Sequence, residues 1–179
     1  MPRIPYLPQD IDEPRELVDD IRSRRRGKLL HLDRMLLHSP AFASGWNSLL
    51  RQVRGKLSLS PRLQEMAICA IAVLNGADYE FYHHAPEFLK AGGSEAELDA
   101  LKKFTGDENE LKVFTRGERA VLRLVAEMTL NVQVEDASFA AVKNELPDLQ
   151  QLNELIGVIA SYNMVSRYLV ALQIEPEKD

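Results

Sequence analysis

The chain has one cysteine, Cys69, among its 179 residues. A single thiol cannot close an intrachain disulfide or build a thiolate metal cage, and its scarcity points to a reducing compartment. Long apolar runs are also missing. The longest, residues 66–74, falls well short of the roughly 18 residues that suggest a membrane span. The first residues, Met-Pro-Arg-Ile-Pro-Tyr-Leu-Pro, hold no apolar segment of the secretory-signal type. A cytoplasmic protein with no membrane association is therefore expected. Positive charge is in deficit as well, with a net charge of −5 and a pI near 5.5, which argues against nucleic acid as a partner. There is no glycine-rich phosphate loop, no internal repeat, no low-complexity tract and no strand-like alternation.

What is present reads as helix. Apolar residues make up 45% and charged residues 27%, ordinary for a globular chain whose length suits one domain. Four of the nine prolines fall in residues 1–14, which are expected to form an extended arm ahead of a single all-α domain over residues 15–179. Ser39-Pro40 and Ser60-Pro61 each pair an N-cap with proline at the first helical position. Ser94 with Glu97 and Thr115 with Glu118 read as capping boxes. Asn75-Gly76 suits a helix C-terminus, and Pro86 predicts a kink or two abutting helices. A last helix is expected from Asp148 to about Gln173. The run Met66-Ala-Ile-Cys-Ala-Ile-Ala-Val-Leu74 is apolar on every face. Burial all round is its expected fate, most simply with help from neighbouring subunits, so a homo-oligomer is expected.

The residues with chemical potential cluster in Tyr79-Glu-Phe-Tyr-His-His84. Glu80 and His84 are four apart and share a helix face, Glu80 and His83 are three apart, and the two histidines diverge by about 100°. One imidazole therefore joins the carboxylate while the other packs elsewhere. A carboxylate beside an imidazole orients the ring and favours its protonated form, which suits a proton donor or an oxyanion stabiliser. The bland alternative is a surface Glu–His pair. Glu65 is the last charge before the apolar run, and burial there requires a partner; Arg62, three residues earlier, is the simplest one. His31 and His38 are seven apart with no third ligand at recognisable spacing, so no metal site is expected. The basic run at residues 22–28, Arg-Ser-Arg-Arg-Arg-Gly-Lys, lacks interleaved aromatics and reads as a solvated helix end.

The segments Leu59-Ser-Pro-Arg-Leu-Gln-Glu65, Asn75-Gly-Ala-Asp-Tyr-Glu-Phe-Tyr-His-His84 and Ala91-Gly-Gly-Ser-Glu-Ala-Glu-Leu98 resemble the carboxymuconolactone decarboxylase family, which includes alkylhydroperoxidase D. The resemblance covers most of residues 30–105 and continues loosely through Tyr162-Asn-Met-Val-Ser-Arg167. It implies an alkylhydroperoxidase D-like helical bundle and dimers, trimers or hexamers. In the peroxidase branch a glutamate precedes a Cys-x-x-Cys pair and then a histidine. Glu65 and His84 fall on the outer positions, but Ala77 and Glu80 stand where the thiols belong. Thiol-dependent peroxidase chemistry is thus disfavoured. The decarboxylase branch implies cofactor-free loss of CO2 from a small unsaturated organic acid. On that resemblance His84 is the acid or oxyanion donor, Glu80 its orienter or relay and Glu65 a supporting carboxylate. His83, Tyr79 and Arg167 are the substrate-binding candidates. A non-catalytic oligomeric binding protein on the same scaffold is the alternative.

Overall fold

The computed structural model describes residues 1–177, and among them there is no strand. The helices are α1 (Arg15–Arg24), α2 (His31–Leu36), α3 (Pro40–Gly55), α4 (Pro61–Leu74), α5 (Asp78–Lys90), α6 (Glu95–Leu101), α7 (Arg116–Ala126), α8 (Asp136–Glu145) and α9 (Leu149–Leu172). A short 3-10 turn lies at Glu108–Glu110, and a π-turn at Glu127–Asn131 extends α7. The all-α architecture is as the periodicity requires. The chain divides into two compact units, one holding residues 1–56 and the segment from Ala171 onward, the other Leu57–Val170.

In the first unit α1, α2 and α3 bury Val18, Ile21, Leu32, Met35, Leu36, Trp46 and Leu50. The proline-rich arm is not helical, and it is held along its own unit. Arg22 donates to the carbonyls of Gln9 (3.0 Å) and Ile11 (2.8 Å), and Arg34 donates to that of Leu7. The basic run is not a free patch. Arg24 and Arg25 flank the buried Asp33 carboxylate at 3.5 and 3.2 Å, and Arg24 also donates to Asn47. His31 stacks on Tyr6 with centroids 4.2 Å apart and bonds the Glu175 carbonyl, whereas His38 bonds the carbonyl of Pro5. Each histidine holds a backbone oxygen rather than sharing a ligand. Among the described residues no group of three potential ligands converges for a metal.

The second unit is built on α4. Ser60 caps it, accepting from the Leu63 amide, and Gly76 ends it at φ +64°, a left-handed conformation that asparagine and glycine tolerate. Met66 through Ile71 are fully inaccessible and Ala72 nearly so. Met66 to Ala72 are thus buried by the chain itself, chiefly against α5 and α7, while Val73 and Leu74 are half-buried. α5 runs on through Pro86 as one helix. Proline there deprives the Tyr82 carbonyl of its helical donor.

Arg62, on the first turn of α4, ties three segments together. Its guanidinium donates to Glu97 (2.5 Å), to Glu118 (2.7 Å) and to the Gly92 carbonyl (2.6 Å). Both glutamates are also the return arms of the capping boxes of α6 and α7. Burial alone would raise both carboxyls, but the bonds from Arg62, Ser94 and Thr115 outweigh it and hold them below the ordinary glutamate value. A depressed folded-state pKa contributes stability above the unfolded value and loses it as pH falls through the folded one. Arg62→Ala is expected to cost about 3 kcal/mol near neutrality, because it strands two buried carboxylates. In urea melts the gap from wild type should narrow as pH falls beneath 4.5, the ordinary value. A gap that stays constant with pH would mean the arginine acts by packing alone.

Candidate acid–base site

Glu65 sits in the second turn of α4 and Glu80 in the first turn of α5, where the helix N-terminus favours negative charge. His84 follows Glu80 by one helical turn, so the two share a face, and that face meets α4. The imidazole is held between the two carboxylates. Its Nδ1 lies 2.5 Å from Oε2 of Glu65, and its Nε2 lies 2.8 Å from Oε1 of Glu80. All three residues are buried, with relative exposures of 7% for Glu65, 5% for Glu80 and 4% for His84. This is no surface ion pair, whose contribution would be small.

Two contacts this short each need a proton between nitrogen and oxygen. Either the ring is an imidazolium donating to two carboxylates, or it is neutral, donating at one nitrogen and accepting from a carboxylic acid at the other. Both forms carry two shared protons and a net charge of −1. Moving a proton from Nε2 to Glu80 changes neither the heavy-atom positions nor the net charge. The arrangement can therefore present Glu80 as an acid and restore it through His84, with Glu65 stabilising the ring on the far side. The Tyr162 ring on α9 meets the imidazole edge-on, with centroids 5.1 Å apart, and limits the orientations open to it.

Cys69 lies one turn beyond Glu65 on α4 and is fully buried. Burial, and then the charges of Glu65 and Glu80, push its thiol well above the ordinary value. A thiolate is disfavoured there, so this cysteine is not a nucleophile.

The expected partner of Glu65 was Arg62. The structure gives that place to His84, because Arg62 turns to the capping glutamates of α6 and α7. His83 diverges from His84 as helix geometry requires. Its ring packs on Tyr79 (4.5 Å) and Tyr82 (5.2 Å), with Tyr79 itself buried. Arg167 donates through Nη1 to the side chain and carbonyl of Asn163, and through Nη2 to the Thr129 carbonyl on the π-turn. Asn163 also donates to the Thr129 hydroxyl and accepts from Asn75. Sequence reasoning missed this Asn75–Asn163–Thr129 network. Its members lie far apart in the chain, and only the π-turn brings Thr129 to α9. A hollow of about 380 Å³ over α6, lined by Ala96, Asp99, Ala100, Lys103 and Leu111, includes none of the three acid–base residues.

Residues 40–105 match the profile of the carboxymuconolactone decarboxylase family, a stretch that contains Glu65, Glu80 and His84. No curated protein matches the chain by sequence. Among solved structures, a peroxidase-related protein from Silicibacter sp. TM1040 superposes with a TM-score of 0.79 at 17% identity, covering 98% of this chain and 94% of its own. The alkylhydroperoxidase D core of a peroxidase-related protein from Ralstonia eutropha JMP134 gives 0.77 at 15% identity, covering 99% and 93%. The debrominase Bmp8, solved with 2,3,4-tribromopyrrole, gives 0.77 at 15% identity, covering 99% and 94%. At such identities the structural likeness speaks for the fold alone. Profile and fold agree: residues 40–105 are similar to the carboxymuconolactone decarboxylase family, and the chain shares the fold of the alkylhydroperoxidase D core.

Proposed function

We propose that this chain is a cofactor-independent carboxy-lyase acting on a small, unsaturated, cyclic organic acid, with Glu65, His84 and Glu80 as its acid–base relay. The observation that carries the reading is one imidazole held at both nitrogens by buried carboxylates on two helices. In a conjugated lactone acid the bond to the carboxylate carbon breaks and CO2 leaves. The electron pair passes into the conjugated carbonyl as a dienolate, so the substrate is its own electron sink. The carbanionic carbon then takes a proton, and a new C–H bond forms. Glu80 supplies that proton and recovers one from His84, which regains its own from solvent before the next turnover, while Glu65 holds the ring in place. A fold that holds a small ring in the debrominase supports a substrate of that size.

Ala77 and Glu80 stand where a peroxidase of this family carries its thiols, and the remaining Cys69 is buried with a raised pKa. A thiol-dependent antioxidant role is accordingly not part of the proposal. One observation favours a second reading, a non-catalytic oligomeric protein that binds small molecules. Both ring nitrogens of His84 are already engaged, and all three residues are almost inaccessible. Mass-spectrometric screening of small lactones, β-keto acids and unsaturated acids separates the two. Loss of CO2 from one compound, absent in Glu80→Gln, supports the lyase. Saturable binding with the acid recovered intact supports the binding protein and ends the lyase reading.

A further inference from the structure

We propose that Asn163, tied to Asn75, Thr129 and Arg167, is the hub of a latch that holds α9 closed over the acid–base residues and sets how often a small molecule reaches them. The use made of the opening rests on the relay proposed above, whereas the latch stands on geometry of its own. Glu65, Glu80 and His84 are between 4% and 7% exposed, so any compound that meets them needs an opening. α4 and α5 grip the imidazole by both nitrogens and are joined by the short turn at residues 75–77. α9 meets the imidazole through the ring edge of Tyr162. An edge-on ring contact is a weaker hold than a charge-assisted hydrogen bond, so α9 is the element that can withdraw.

Asn163 directly follows Tyr162 and is buried. Its amide uses all of its hydrogen-bonding capacity. Oδ1 accepts from Asn75 (3.1 Å) and from Nη1 of Arg167 (2.5 Å), and Nδ2 donates to the Thr129 hydroxyl and the Ile159 carbonyl (both 3.0 Å). Arg167, one turn further along, adds a bond from Nη2 to the Thr129 carbonyl (3.2 Å). α9 is thereby tied to the C-cap of α4, five residues before Glu80, and to the π-turn. Among the described residues, every acceptor around the Arg167 guanidinium is a neutral oxygen. These bonds lack the charge pairing that fixes Arg62 to its two glutamates, and they release more readily.

The π-turn supplies a second, independent observation. It ends at Val132, whose φ of +67° and ψ of −39° lie near the strained γ-turn, a conformation that a β-branched residue rarely adopts. Val132 is 78% exposed, so no packing of its own side chain holds it there. Bonds to the preceding turn do. Thr129 is held by Asn163 and Arg167, and Glu127 by Arg123, Ser138 and the Glu135 amide. A turn that is strained when bonded and relaxed when released has two discrete arrangements, which is what a latch requires. Once Asn163 and Arg167 let go of Thr129, α9 is free to carry the Tyr162 ring off the imidazole.

Cys69 reports the opening. It is the single thiol, it lies near enough to Glu65 and Glu80 to feel both charges, and it is inaccessible in the closed form. The measurement is the rate at which iodoacetamide labels the full chain at about pH 8, where a solvated thiol reacts, across a urea series below the unfolding transition. Wild type is expected to label at a rate that hardly changes over the first urea steps, the mark of local opening rather than global unfolding. Asn163→Ala should label about tenfold faster or more, beyond any rise in its global unfolding constant from urea melts. Arg167→Gln, at an exposed position, should act in the same direction, and Val132→Gly, which relaxes the latched turn, should slow labelling. Three results would each overturn the latch: wild-type labelling that follows global unfolding at every urea concentration, increases in Asn163→Ala and Arg167→Gln no larger than their changes in unfolding constant, or faster labelling in Val132→Gly. The lyase reading fails separately, when no compound loses CO2, and that failure leaves the labelling rates as they are.

Discussion

Glu65→Leu is expected to lower the stability of the chain by about 3–5 kcal/mol, the cost of breaking a buried ion pair from one side. The substitution keeps the volume and removes the charge, yet it leaves His84 Nδ1 facing an apolar side chain in a site where the imidazole is 4% exposed. The remaining partner, Glu80, can satisfy only Nε2. Removing the polar groups together is a different matter. A Glu65→Leu, Glu80→Leu, His84→Leu triple variant replaces a desolvated polar cluster with hydrocarbon of similar size, and such exchanges are often neutral or stabilising. The triple variant should therefore recover most of what the single variant loses, measured by urea unfolding at neutral pH. An additive set, in which the triple is worse than Glu65→Leu by the sum of the other two, would show that the three residues do not act as one unit.

That contrast bears on what the cluster is for. A core of this kind gains little stability from holding two carboxylates and an imidazole where hydrocarbon would serve, and the proposed relay accounts for their presence. The buried neighbours sharpen the point. Cys69, with a raised thiol, contributes no reactive group, and Tyr162 contributes a ring edge that steadies the imidazole.

Much of this was readable before the structure. Ser60, Asn75-Gly76, Ser94 with Glu97 and Thr115 with Glu118 mark helix ends by local hydrogen bonding, which sequence carries directly. The Glu80–His84 contact follows from helix pitch, since both residues belong to one element. Three features escaped for a shared reason: each is decided by another element. Glu65 had Arg62 within reach on its own helix. That arginine was claimed instead by capping glutamates 35 and 56 residues away. The π-turn has no sequence signature, and it exists where the Thr129 carbonyl meets Arg167 and its hydroxyl meets Asn163. The third is the cover over α4. Apolar composition made α4 look in need of a neighbouring subunit, but Met66 to Ala72 are buried by the chain itself, with Val73 and Leu74 left half-buried.

The second large effect is expected on turnover. With a substrate identified, Glu80→Gln should lower kcat by about 10²–10⁴-fold, the range of a positioned general acid, and leave KM nearly unchanged. Glutamine keeps the shape and can still accept from Nε2, so folding is preserved while the transferable proton is lost. His84→Gln should cost a comparable factor, because Glu80 would then lack the group that restores its proton. The decisive comparison is the double variant. If the proton reaches the substrate through His84 and then Glu80, the two losses describe one broken path, and the double variant should be little worse than the poorer single one. Independent roles, with His84 polarising the substrate directly and Glu80 merely orienting it, predict losses that multiply. The geometry favours the first outcome. Both nitrogens of the imidazole already face carboxylates at 2.5 and 2.8 Å, so His84 has no third direction in which to hold a substrate oxygen. A multiplying pair would move the chemical contact from Glu80 to the imidazole and would require the Glu80 carboxylate to swing off Nε2 when substrate enters.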